Sequence, residues 1–212
     1  MKDTSHTQLV PYQFSWKEKF QLEKDRIQKI FSDGAIGIEH IGSTSIDGLS
    51  SKPIIDIAVL VEKQENADKF IEVLNEIGYW YDKPNSSGER HFFRKGKPTE
   101  FHLSIAYSDK GNFWERQILF RDYLRNHSDI RDEYAELKES LIRSDPTGNT
   151  VYVAGKTKFV QKILNLAKKG KLKKGTRGIK LFRKNLGRVG RGGEGGVVFR
   201  GDEGENSNNL KK

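Results

Sequence analysis

The 212-residue chain contains no cysteine, which excludes disulfides and thiolate metal centres and fits a reducing compartment. No apolar run approaches the roughly 20 residues that a membrane-spanning helix needs. The opening MKDTSHTQLV lacks the charged-then-apolar order of an export signal. A soluble, cytoplasmic protein with no membrane partner is therefore expected. Also missing are a Walker A sequence, a His-Glu-x-x-His pair, a nucleophile elbow and any internal repeat. The glycine-rich run Gly187 to Gly193 has no strand before it and no helix after it, so it is not a dinucleotide loop.

What is present begins with charge. The net charge is +9, and residues 169–212 account for all of it, with 13 Lys and Arg against 4 Asp and Glu. Residues 1–168 are balanced. The same C-terminal stretch holds 11 of the 21 glycines and has too little periodic apolar surface to offset the entropy of ordering. It reads as a disordered basic tail appended to one domain over 1–168. Such a tail could hold a nucleic-acid backbone by charge, with Phe182 and Phe199 available for stacking, or serve only as a solvated terminus.

Within the body the apolar spacing alternates between helical and extended. Trp16, Phe20, Ile27, Ile30 and Phe31 fit a first helix, for which Ser15 and Glu18 predict a capping box. GAIGIEHI and PIIDIAVLV read as strands joined by the turn STSIDGLSS, which has room for one helical turn at most. A single helix is predicted for NADKFIEVLNEIGYW, ending near Gly78, followed by strands ERHFFRK and TEFHLSIAY around the turn Gly96-Lys97-Pro98. FWERQILFRDYLRNH, SDIRDEYAELKESLIRS and GKTKFVQKILNLAKK read as helices, the last two separated by Pro146 to Asn149. The order implies an α/β or α+β domain, a mixed β-sheet flanked by helices with a C-terminal helical half.

One residue in this pattern needs an explanation. Alternation places Ile54, Asp56, Ala58 and Leu60 on one face of their strand, so Asp56 has only apolar neighbours along it. A carboxylate there is costly unless a cation, a metal or a donor compensates it. Just upstream, Gly42, Ser43, Thr44 and Ser45 bring small side chains, hydroxyls and backbone N–H groups suited to a phosphate. Thr44 and Asp47 resemble a second capping box that would aim a helical turn at the same place. Glu100, His102 and Ser104 share one face of a later strand, where His102 is a candidate proton-transfer group or ligand, or a histidine hydrogen-bonded within the sheet. His40 precedes the glycine-serine turn and is placed to reach a phosphate or to fix the loop. Lys52, Arg90, His91, Lys138, Lys156 and Lys158 are candidate phosphate partners, each equally readable as a surface charge. Tyr134 and Phe159 are read as core.

A strand ending in Gly-Ser, a spacer of about a dozen residues and a strand bearing Asp resemble the signature of the nucleotidyltransferase superfamily. More narrowly, IEHIGSTSIDGLSSKPIIDIAVLV, FRDYLRNH, EYAELK and GKTKFVQKIL are similar to the GrpB-like family, over approximately Tyr12 to Lys168. The resemblance implies a fold in which strand carboxylates hold magnesium against a nucleoside triphosphate, the metals bridging phosphates and activating a hydroxyl. On this chain it maps Asp56 to the first acid and Gly42 and Ser43 to the phosphate-binding pair. Glu100 is the candidate third acid and second metal ligand.

The chain departs from the superfamily pattern at position 58, where Ala58 stands in place of the second strand acid. A two-metal site loses a ligand and a charge there. Three functions follow as expectations: a magnesium-dependent nucleotidyltransferase with an unidentified acceptor; a degenerate member that binds a nucleotide or phosphorylated small molecule without turnover; and a module whose basic tail binds nucleic acid.

Overall fold

The computed structural model describes residues 8–144 and 150–173. Helix α1 (Ser15–Phe31) leads into strand β1 (Gly37–Ile41), a single 3-10 turn at Ser43–Ser45 and strand β2 (Ile55–Val61). Helices α2 (Gln64–Asp68) and α3 (Ile71–Glu76) precede strands β3 (Tyr79–Tyr81), β4 (Arg90–Lys95) and β5 (Phe101–Tyr107). Helices α4 (Phe113–Arg125), α5 (Ser128–Ser144) and α6 (Thr150–Lys173) form the helical half.

The five strands make one mixed sheet in the order β1-β2-β5-β4-β3, with β2 and β5 parallel and the other pairs antiparallel. The expected α+β class is what the chain adopts. Alternation sorts the strands as the sequence predicts. Ile55, Ile57, Val59 and Val61 join Leu103, Ile105 and Phe93 in a core under Trp16, Ile27 and Phe31 of α1 and Ala67 and Leu74 of α2 and α3. On the opposite face, Ala58, Leu60 and Ala106 pack with Phe113 and Trp114 of α4. The central strands are therefore covered on both sides, which fits their nearly continuous apolar runs.

The β1–β2 connection belongs to the helical half. Its Ile46 and Leu49 are fully buried with Leu124, Tyr134, Phe159 and Ile163 of α4, α5 and α6. The free edge of β1 is covered as well, since Arg121 of α4 donates to the His40 carbonyl at 2.9 Å and to Glu39 at 2.6 Å.

Several local expectations are corrected. Ser15 lies inside α1 and makes no capping bond; the edge-on contacts of Tyr12 with Phe14 and Trp16 fix that end instead. Thr44 and Asp47 form no capping box, because the Thr44 hydroxyl donates to the Ile54 carbonyl and Asp47 accepts from Lys17 and Tyr12. The single helix predicted from Asn66 is split around Lys69 and Phe70, where the Phe70 ring stacks on Phe31. Tyr79 to Tyr81 join the sheet after Gly78, whose φ of 88° ends the helix, as residues with strong strand preference do. Helix α6 runs to Lys173, across the boundary placed at 168. The break at Pro146 to Asn149 and the tail from residue 174 lie outside the described residues.

Candidate functional site

The chain after β1 turns back sharply at Gly42, whose φ is 69°. A Cβ at that position would sit 2.2 Å from Asp56 Oδ2. Only glycine satisfies both the dihedral and the contact. The backbone of the bend therefore lies directly against the carboxylate. The bend is closed by Ser45 N–H and Ile46 N–H donating to the Gly42 and Ser43 carbonyls, which leaves the N–H groups of Ser43 and Thr44 outside the turn's own bonding.

Three cations of the helical half hold this connection by its backbone. Arg125 donates to the Ser45 carbonyl through Nε and Nη2 at 3.0 and 2.6 Å, and Arg131 donates to the Asp47 carbonyl at 3.1 Å. Lys138 donates to the Ser50 carbonyl. Lys138 is thus a buried structural amine and not a phosphate partner; burial and the nearby Lys156 push its pKa down to about 7.

Asp56 is positioned from behind. Arg94 Nε donates to Asp82 at 2.7 Å, and its Nη1 lies 3.3 Å from His102 Nε2. A guanidinium cannot accept, so His102 Nε2 carries the lone pair and Nδ1 carries the proton, which it donates to Asp56 Oδ1 at 3.0 Å. His102 is therefore an orienting neighbour of Asp56 within the sheet.

In front of Asp56 lies a cavity of about 230 Å³, lined by Gly42, Ser43 and Asp56 from the sheet side. Arg116, Gln117 and Phe120 of α4 line it too, with Tyr134 of α5 and Lys156, Val160 and Leu164 of α6. Burial lowers the Lys156 pKa to about 8, Asp56 acting against that fall and Lys52 adding to it. Arg116 is held by a bidentate pair with Glu89 at 3.1 and 2.6 Å.

The remaining sequence candidates separate by face. Ser43 lines the cavity, but Thr44 and Ser45 are buried and turned inward, Ser45 Oγ donating to the Gly42 carbonyl at 2.6 Å. His40 sits with Ile38 on the α1 side of β1, stacked on Phe20 at 4.7 Å, and donates through Nε2 to Thr44 Oγ1 at 3.0 Å. Burial keeps it neutral, with a pKa of about 4. It fixes the loop and does not face the cavity. Arg90 shares the cavity face of the sheet, yet its guanidinium is bound to Ser104 Oγ at 2.7 Å. His91 faces the other way, between Asp68 and Tyr107. Glu100 is exposed just ahead of β5, against the Gly96 turn and outside the cavity lining. Lys158 is exposed, and Lys52 is partly buried outside the lining.

The residues do not fit a two-ion magnesium centre. Ala58 is fully buried among apolar neighbours, and among the described residues no three His, Cys, Asp or Glu side chains cluster closely enough to hold an ion.

Comparison with known proteins places the chain. The family described as GrpB protein matches residues 6–166. The chain belongs to the GrpB family. UPF0157 protein YqkA of Bacillus subtilis is 36% identical over 164 residues, 77% of this chain and 48% of that protein. The chain thus spans about half the length of YqkA. Glutamate-rich protein GrpB of Alkalihalophilus pseudofirmus is 34% identical over 162 residues, 74% of this chain and 93% of that one. The crystal structure of conserved protein GrpB from Enterococcus faecalis superimposes with a TM-score of 0.69 at 34% identity, covering 77% of this chain and 98% of that one.

Within this GrpB chain, sequence reasoning missed Arg94 and Asp82 behind Asp56, the Arg125 and Arg131 clamps, and Arg116, Gln117 and Phe120 in the lining. One signal was available. Lys156, Val160 and Leu164 stand at i, i+4 and i+8, a single helical stripe that starts in a cation.

Proposed function

We propose that this GrpB protein binds a phosphorylated small ligand, of the nucleotide or sugar-phosphate class, in the cavity between the Gly42–Ser43 bend and α6. The observation that carries the reading is the enforced contact of Gly42 with Asp56 inside a cavity that also holds Lys156. Phosphate oxygens would take the Lys156 ammonium, the Ser43 hydroxyl and the spare N–H groups of the bend. Asp56, fixed by His102, is placed to accept from a ligand hydroxyl. Phe120 and Leu164 give the cavity its apolar wall, the mixture common in small-molecule sites. The cavity is smaller than a whole nucleotide requires, so a nucleoside would project outward from it. The resemblance to nucleotidyltransferases supports the phosphate chemistry; the single strand acid favours binding over transfer.

Thermal denaturation with a panel of nucleoside triphosphates, sugar phosphates and their unphosphorylated counterparts tests this. Phosphorylated compounds at a hundredfold excess over Kd should add about 2.7 kcal/mol of stability, and Lys156→Met, binding about tenfold more weakly, should cut that gain to about 1.4 kcal/mol at the same concentration. If no phosphorylated compound stabilises the protein, with or without magnesium, the reading is wrong.

A further inference from the structure

The surroundings of Asp56 carry fixed positive charge where the superfamily pattern places a second acid and its ions. Ala58 pairs across the parallel β2–β5 ladder with Ser104, and the Ser104 hydroxyl accepts from Arg90 Nη1 at 2.7 Å. The Arg90 guanidinium lies 4.4 Å from the centroid of Phe92 and 4.9 Å from that of Phe113. It is a clamped, partly desolvated cation on the cavity face of the sheet. Lys156 of α6 lines the same cavity as Asp56. Both cations interact electrostatically with Asp56. The one carboxylate thus interacts with two cationic side chains, an arrangement that offsets its charge and disfavours a divalent ion.

We propose that the cavity takes the phosphate groups of its ligand without a divalent ion, with Lys156 in contact and Arg90 behind it supplying the charge that metals would otherwise provide. This rests on the reading of the cavity as a phosphate site. It extends that reading by naming the charged species bound, a free phosphate or pyrophosphate anion and not its magnesium complex. Asp56 then serves the ligand's hydroxyl and no metal.

Inorganic pyrophosphate is a suitable probe because it has no hydroxyl and no base. Its dissociation constant for the full chain is measured by titration calorimetry in excess EDTA and in excess magnesium chloride, each expressed per free anion. The affinity in EDTA should equal or exceed that in magnesium. Lys156→Met should weaken binding about tenfold in EDTA, while Lys156→Arg retains most of it. Asp56→Asn, which removes a negative charge, should bind pyrophosphate as tightly as the wild type or more so. Binding that requires magnesium and disappears in Asp56→Asn would overturn the metal-free proposal and leave the phosphate site standing. Absence of binding in both buffers overturns the site itself. Melting curves of each variant separate a lost contact from a lost fold.

Discussion

At the scale of single residues, Gly42 is the position where sequence, geometry and chemistry meet. Gly42→Ala would place a methyl 2.2 Å from a carboxylate oxygen in a backbone conformation that L-residues avoid. A loss of about 3 kcal/mol or more is expected in urea denaturation. Adding Asp56→Ala should recover part of that loss, because the carboxylate atoms are then gone while the 2.9 Å approach to the residue 56 Cβ and the dihedral cost remain. His40 gives a second test. Its folded pKa of about 4 lies below the ordinary 6.5, so between these values the unfolded chain binds more protons and stability falls as pH drops through that window. The full difference corresponds to about 3 kcal/mol, and His40→Gln, which keeps a donor for Thr44, should flatten the decline measured by melting at pH 6.5 and pH 4.

At the scale of elements, the cation clamps on the β1–β2 connection make a different forecast. Lys138 is buried with a pKa of about 7 against 10.5 when free. Below pH 7 the folded state carries the whole burden of a buried ammonium, and that burden is relieved as pH rises toward 10.5. Stability from this group therefore increases with pH across that range. Lys138→Met should be nearer to wild type, or above it, at pH 6 and should compare least favourably at pH 9.5, measured by chemical denaturation at each pH.

These elements also show where the sequence could be read. The strands were legible because alternation and β-branched runs encode them directly, and Asp56 stood out because a carboxylate interrupts an apolar strand. Asp56 and Gly42 were paired by the resemblance to the nucleotidyltransferase signature, and in the fold the two are in direct contact. His40 could have been assigned to the far face by the same alternation that worked for β2. The clamps were hidden because Arg125, Arg131 and Lys138 act on carbonyls 80 to 88 positions away in the chain. The Arg94–His102 contact depended on the register of β4 against β5, which turn composition alone does not set.

At the scale of the whole molecule, the charge asymmetry is the main feature. Helix α6 has seven lysines and no acid, and residues 174–212 add 10 Lys and Arg against 4 Asp and Glu. Removing residues 174–212 should leave cooperative unfolding intact, since the family match ends at 166. The same deletion should weaken retention on an immobilised RNA or DNA and reduce the slope of affinity against salt. An unchanged slope would assign that binding to the folded body.

The capture of the Ser45, Asp47 and Ser50 carbonyls by α4 and α5 has a consequence for ligand entry. The Gly42–Ser45 bend behaves as an anvil, unable to flex unless the helices lift away with it, so its amides should exchange with solvent in step with those of α5. Phe159 and Ile163 of α6 pack on Ile46 and Leu49 just beyond the anvil, so α6 should open to bulkier guests only together with it.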